Sequence, residues 1–587
     1  NYGNVTDVDG FFRLPGMRVG GPYVITTSYT GYAPIVQDGV YLQLGQAFQF
    51  SKKMGIDAIE LTSIEVISSR SDIFNGEKNG QETNVGEETI NVLPTISRSI
   101  GDFTRLTPQS TTSEGNDGLE LSFGGINNRY NAIFIDGAVS NDVFGLAGSG
   151  TNGGQTGVSP ISVDAIESFQ INLAPYDVRQ GGFGGASISA ITRSGSNNTE
   201  ASVYGFFRNQ ALTRGVLDGA EIADYSAYTA GFRIGGAIKK DKIFYFVNYE
   251  RQDETTPLPF NIDNYTGDAD LAAINGLSSF LQSEYDYDPG TFSDNERFLV
   301  SDKLNAKFDF NINANNKLAL RLSYVGADNL EGVQSNNNNI NFLNSSERFN
   351  AKTYGAALEL NTIIGSNMSN SLVVGFTRQV DDRDPNGQPF PYVSIEDGSG
   401  NLTFGSERFS TANLLNQNVV TITNNFEIFK GKHTFTIGAN LELYKAENLF
   451  LAYNYGQYQF DDLETFQNGG NASFFQRVYS LRDNVSGDDS QAIASFGAGQ
   501  AGLYFQDRIQ FAENFSFTAG VRLDLPFYDD TPVNDDLNDN VLPALGALYD
   551  LRGATSGSFI KPNLLISPRI GFNWDVLSDK TTQVRGG

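Results

Sequence analysis

Residues 304–324 read LNAKFDFNINANNKLALRLSY, and their alternation decides the fold. Leu304, Ala306, Phe308, Phe310 and Ile312 fall on one face; Asn305, Lys307, Asp309 and Asn311 fall on the other. After the turn Asn313-Ala314-Asn315-Asn316, Leu318, Leu320, Leu322 and Tyr324 alternate with Lys317, Ala319, Arg321 and Ser323. Strand side chains point to opposite faces with period two. Each arm of this hairpin therefore has one apolar and one polar surface. Each arm is about ten residues long, enough for a tilted strand to cross a bilayer. The pattern is that of a transmembrane antiparallel β-barrel, with lipid outside and water or a plug inside. Phe308, Phe310, Leu318, Leu320 and Leu322 should face lipid, while Lys307, Asp309 and Arg321 face the lumen.

The same design recurs along the chain. Strands are expected at about 201–209, 226–238, 242–252, 300–312, 317–326, 351–363, 369–380, 417–429, 433–445, 499–511, 515–527 and 567–576, with another starting near Thr581. Short turns (239–241, 313–316, 364–368, 430–432, 512–514, 577–580) alternate with connections that are mostly much longer. Outer-membrane barrels have this asymmetry, with short turns periplasmic and long loops outside. Asn336–Asn339 is a low-complexity tract in one long loop, expected to be without regular structure.

Composition agrees. Among 587 residues, 12% are aromatic, as the interfacial girdles of a barrel require. No run approaches 18 apolar residues, so no membrane-spanning helix is expected. The absence of Cys removes disulfides, thiolate metal sites and thiol nucleophiles. His433, the single His, allows no His-based triad or cluster of His ligands. It adjoins the turn Lys430-Gly431-Lys432 and reads as a solvated turn residue. With no catalytic constellation in view, an enzyme is not expected. The stretches 254–297, 381–416, 447–498 and 529–566 hold 28 acidic and 7 basic residues, a net −21 of the chain's −28. Such an acidic surface repels nucleic acid.

The first part of the chain is organised differently. Residues 1–54 read as short strands of an incomplete β-sandwich, and 55–80 as a connector. Residues 81–196 mix strand-like runs with short helices, such as Val163–Glu167 behind an N-cap at Ser162. They read as a Gly-rich α/β domain. Residues 197–587 carry the barrel pattern.

Three segments carry a family likeness. One is Phe123-Gly124-Gly125-Ile126-Asn127-Asn128-Arg129 with Asn131-Ala132-Ile133-Phe134-Ile135-Asp136-Gly137. Another is Ile161–Ile171, followed by Gly181–Ala186 and Ile191-Thr192-Arg193-Ser194-Gly195. These resemble the plug signatures of TonB-dependent outer-membrane receptors. Leu503-Tyr504-Phe505-Gln506-Asp507, continuing to Gly520–Asp524, resembles a barrel hairpin of the same family. Leu93–Arg98, Asp102–Pro108 and Ala174–Phe183 are most similar to the Oar-type receptors, and residues 1–54 resemble the carboxypeptidase-regulatory-like domain that precedes the plug. The resemblance implies a plug at 81–196, a cell outer-membrane location and a TonB-type energy-transducing partner. It also implies a barrel of about 22 strands. Only about half of these are present, so the chain is expected to be part of a longer one, open at both ends.

The resemblance also singles out Ile64-Glu65-Val66-Ile67-Ser68, which lies where related receptors carry the TonB box. Such a box adds an extended strand to a partner's sheet edge through main-chain hydrogen bonds; the alternative is a linker strand. Other candidates are weaker. Tyr453, Tyr455, Tyr458 and Phe460 either stack on a ligand or pack their own loop. Asp529, Asp530, Asp535, Asp536 and Asp539 are oxygen donors of the type that gather calcium, but they lack EF-hand spacing, and a solvated acidic loop is the alternative. Gly181–Gly185 lacks the Lys-Ser or Lys-Thr of a phosphate loop and reads as close backbone packing. Two functions follow. One is energised import of an unidentified extracellular ligand. The other is a barrel-anchored surface or secretion-associated binding protein that moves no solute.

Overall fold

The computed structural model describes residues 2–7, 10–42, 48, 50, 51–55, 80–93, 95, 98–115, 118–173, 175–212, 216–217, 220–221, 223–480, 489–512, 514–529, 532–557, 562–578 and 581–587. Its main feature is one antiparallel sheet of 13 strands. In order these are Glu200–Asn209, Ser226–Lys239, Ile243–Leu258, Asn295–Asn311, Asn316–Leu330, Glu347–Ile364, Met368–Pro385, Asn413–Lys430, His433–Phe450, Ala494–Ala512, Phe515–Tyr528, Leu565–Asp575 and Gln583–Gly586. Every expected strand is present. Many run several residues further toward the long loops, because main-chain pairing continues where the apolar alternation has ended. The sheet is open, with Glu200–Asn209 and Gln583–Gly586 at its edges.

The register supports the assigned faces. Phe308 pairs with Leu320 and Lys307 with Arg321, so like residues stand together on each face. Leu304 and Leu322 are 44% and 46% exposed, whereas Lys307, Asp309 and Arg321 are 7%, 3% and 5% exposed. The apolar face continues across the sheet through Tyr354, Phe376, Ile422, Ile437, Leu443, Leu503 and Ile570, all exposed. Among the described residues no helix is long and apolar enough to cross a membrane.

Residues 82–192 form a separate α/β unit on the polar face. Its sheet has the order Glu82–Gly86, Ile166–Asn172, Ser187–Thr192, Ala132–Ile135, Ala138–Val139. Val85, Ile133, Ile166, Phe169, Ile171 and Ile188 fill its core, and Phe246 of the large sheet joins them. The helix Ile100–Thr104 closes one side. It starts with a capping box between Ser99 and Asp102 and stacks Phe103 on Phe169 at 5.3 Å. The expected helix at Val163–Glu167 is one 3-10 turn, Val163–Ala165, with Ser162 as its cap. Ile166 and Glu167 already belong to the next strand, whose apolar residues enter the core.

Further structure lies beyond the large sheet. Of the β-sandwich expected over residues 1–54, the described residues hold one hairpin, Gly20–Thr27 with Ile35–Leu42. The residues before this hairpin reach the short-turn rim, where Asn4 donates to the Ser366 carbonyl at 3.3 Å and Arg18 pairs with Asp309 at 3.1 Å. The long loops also are not irregular throughout. Four of them build a cap with its own sheet, in the order Asn339–Asn341, Gly400–Phe404, Tyr392–Asp397, Gln457–Phe460, Phe474–Gln476. The helix Leu271–Tyr285 lays Ile274, Leu277 and Leu281 into a core with Phe342, Ile395, Leu402 and Phe404. The tract Asn336–Asn339, expected to lack structure, makes a β-bridge and leads into this sheet. Its asparagine side chains cap the turn, with Asn336 Oδ1 accepting from the main-chain N–H groups of Asn338 and Asn339.

Candidate functional site at the seam with the polar face

The chemistry of the molecule is concentrated where the α/β unit meets the large sheet. Ile135-Asp136-Gly137-Ala138 is a two-residue hairpin in which Asp136 and Gly137 both have positive φ, 48° and 76°. Asp-Gly suits that turn, since both central residues must accept φ above zero. The turn thrusts the Asp136 carboxylate at the wall. Its Oδ1 accepts from Thr192 N at 2.9 Å and lies 3.3 Å from Lys307 Nζ. Its Oδ2 accepts from Thr192 Oγ1 at 2.6 Å and lies 3.2 Å from Arg321 Nε. Lys307 also donates to the Thr192 carbonyl at 3.0 Å, and Arg321 to that of Ile135 at 3.2 Å. Burial pushes the Asp136 carboxyl up. Lys307 and Arg321, with the two bonds from Thr192, outweigh burial and hold it below the usual carboxylate range.

Four more groups of polar contacts follow the seam. Glu250 of the wall accepts from Ser162 Oγ at 2.8 Å, Tyr204 OH at 3.0 Å and Lys303 Nζ at 3.0 Å. Toward the long loops, Gln417 donates to Asp142 at 3.0 Å and accepts from Phe144 N at 3.1 Å. Nearby, Gln155 donates to Asp381 at 3.2 Å and accepts from Arg383 at 2.7 Å. In the Tyr176–Gly182 segment, Val178 N donates to Gln506 at 3.0 Å, while Arg522 and Arg569 donate to the carbonyls of Val178 and Gln180. At Gly520 a Cβ would lie 2.6 Å from Val178 Cγ1, so the absence of a side chain sets the closeness of approach. A seam of polar contacts can exchange its partners for water at a modest net cost per bond, which an apolar interface cannot do.

The outer membrane beta barrel domain family model matches residues 191–296 and 272–587. The chain belongs to this family. Its location is accordingly the Gram-negative outer membrane, with the short turns periplasmic and the long loops extracellular. The chain is 24% identical over 262 residues to the TonB-dependent transporter Oar of Myxococcus xanthus, an alignment covering 42% of this chain and 23% of that relative. Among solved structures it is similar to the outer membrane transporter YddB of Escherichia coli, with 16% identity and a TM-score of 0.55, covering 86% of this chain and 60% of the other. It is also similar to a mutant of the ferric enterobactin receptor PfeA of Pseudomonas aeruginosa, with 12% identity and a TM-score of 0.51, covering 85% of this chain and 60% of the other. The chain thus spans about 60% of the length of these structures and aligns with under a quarter of the Oar transporter. At these identities the structural likeness concerns the fold.

The residues singled out by sequence are distributed as follows. Ile64–Ser68 lie outside the described residues. Tyr458 is in the cap strand Gln457–Phe460, beside the cap core, 4.7 Å from the ring of Phe475. Tyr453 has φ 60° in the preceding turn, its ring 5.6 Å from Phe409, and Tyr455 is exposed on the same turn. Asp529 follows the strand Phe515–Tyr528, Asp535 and Asp536 begin a helical segment with Asp539 in it, and Asp530 lies outside the described residues. Among the described residues no three acidic or imidazole groups gather to hold a metal. In the Gly181–Gly185 stretch, a Cβ at Gly181 would sit 2.8 Å from the Arg522 guanidinium, in keeping with close packing. His433 Nδ1 is 2.8 Å from Asp507 Oδ2, and its ring stacks on Phe435.

Sequence reasoning placed Lys307 and Arg321 on the lumen face but did not find Asp136 as their partner. Lys307 and Asp136 are 171 residues apart. A signal existed: a lumen face carrying buried cations requires an anion from whatever fills the lumen.

Proposed function

We propose that the protein is the plug-and-barrel part of a TonB-dependent outer-membrane transporter, importing an extracellular ligand of unidentified chemistry. The observation that carries this reading is the seam itself. Residues 81–196 serve as the plug, and Asp136, Ser162, Asp142 and Val178 fasten it to the lumen face by contacts that can be released and remade. In this reading ligand binds among the acidic external loops and the outward surface of the plug. A TonB-type partner captures Ile64–Ser68 from the periplasm, part of the plug rearranges, and ligand passes. The curated relative is a transporter of the TonB-dependent class, which supports the same reading.

The test is uptake. Ligand retained by the full-length protein is identified by mass spectrometry. Its accumulation is then measured in a deletion strain with and without the complementing gene, before and after collapse of the proton gradient. Import that needs both the gene and the gradient supports transport. Surface binding that is unchanged by the gradient, with no accumulation, would favour the barrel-anchored binding protein instead.

A further inference from the structure

We propose that the periplasmic rim of the barrel is a collar for anionic phospholipid headgroups of the inner leaflet. This rests on the outer-membrane location and not on transport. Charge is divided between the two ends of the molecule. The extracellular stretches are acidic, whereas the turns at the opposite rim include Lys239-Lys240-Asp241-Lys242 and Lys430-Gly431-Lys432. All five lysines are exposed.

The first turn is built to present cations. Lys242 N donates to the Lys239 carbonyl at 3.0 Å and closes it. Asp241 adopts φ 63°. Its carboxylate accepts from Asn197 Nδ2 at 2.8 Å, its N–H donates to Asn197 Oδ1 at 2.9 Å, and its carbonyl accepts from Asn311 at 2.8 Å. The single acid of the turn is therefore committed to bracing it. Among the described residues, Lys239, Lys240, Lys242 and Lys430 form no ion pair. At the second turn Lys432 Nζ donates to the Phe511 carbonyl at 2.8 Å, which leaves Lys430 as the outward amine.

Apolar side chains stand beside these amines on the lipid side. Ile238 and Phe511 are exposed at the same rim, as is Trp574, whose register partner is Phe515. Lysine stems beside lipid-facing apolar groups carry their amines to headgroup level. Tryptophan at that height is an interfacial anchor. Cations at this depth complement a headgroup with net negative charge. A zwitterionic headgroup brings its own ammonium and gains less. The acidic outer end gives no equivalent attraction, so the preference belongs to the inner leaflet.

The experiment uses the full-length protein in bilayers of equimolar phosphatidylglycerol and phosphatidylethanolamine, with retained lipid read by native mass spectrometry. The wild type should retain phosphatidylglycerol preferentially, and less so as salt rises. K240Q should lower the enrichment by about fivefold. K239Q/K240Q/K242Q/K430Q should bring it to parity, while the same four positions changed to Arg should keep it, which separates charge from folding. Parity in the wild type overturns the proposal. So does undiminished enrichment in the quadruple Gln variant, or displacement of the lipid by excess inorganic phosphate, which would mark a site for the free anion.

Discussion

Asp136 shows how much one residue of this fold carries. Its carboxylate is buried against Lys307 and Arg321, and no other acid pairs with either cation among the described residues. Asp136→Asn leaves two buried cations side by side. Breaking a buried ionic group in this way is expected to destabilise the local structure by about 3–5 kcal/mol. Hydrogen exchange of Ala132–Val139 under increasing urea should show the loss, with protection in the wall strands unchanged. The same carboxyl sets a pH dependence. Its folded value is depressed, so its contribution is fully present above the ordinary Asp value of about 3.9 and is lost only as pH falls through the lower folded value. Protection at Ala132–Val139 should therefore hold at mildly acidic pH and fail below it. Asp136→Asn should lack that step. The lumen-facing cations were legible from period-two alternation alone. Their partner was not, because alternation assigns a face and says nothing about what comes to it from elsewhere in the chain.

At the scale of elements, the membrane strands and the extracellular cap differ in how openly they are written. A strand that meets lipid on one face and a wet lumen on the other must alternate, and the hairpin 304–324 does so without interruption. Leu320 sits between Phe308 and Leu358 on the lipid side. Leu320→Arg should destabilise the barrel by about 2–4 kcal/mol near the bilayer midplane, and Ala319→Arg, on the other face, by a different and depth-independent amount. Denaturant midpoints of refolding into vesicles would separate the two, and a lipid-type penalty at Ala319 in place of Leu320 would invert the assigned faces. The cap has no comparable signature. Its strands are three to six residues long, come from three separate loops, and sit in acidic, Asn-rich sequence. Even the helix Leu271–Tyr285, whose Ile274, Leu277 and Leu281 recur at helical spacing behind the N-cap Asp270, falls in a stretch expected only as a long loop. Leu277 is fully buried. Leu277→Ala should cost the cap about 2–5 kcal/mol. Limited proteolysis should then cut within 254–297 while the barrel remains resistant.

For the whole molecule, the proposed function has plug, wall and connector work as one device, with force entering at the connector. Main-chain hydrogen bonds carry most of a strand-addition contact, so the backbone of Ile64–Ser68 matters more than its side chains. Val66→Pro removes a donor and fixes φ. It should abolish uptake while ligand binding at the outer surface stays at the wild-type level, because the plug seam and the cap are untouched. Val66→Ala keeps the backbone and should leave most of the uptake. The two variants together separate a coupling strand from a linker: a linker strand would tolerate both, and a purely structural strand would lose binding along with uptake. The coupling also predicts an interaction with the seam. If pulling on residues 64–68 must release Asp136 from Lys307 and Arg321, then Asp136→Asn should lower the force needed to open the plug in single-molecule pulling from Val66. An opening force that is the same in Asp136→Asn and wild type would mean that the pull leaves this contact intact and that the ligand's path lies elsewhere along the seam.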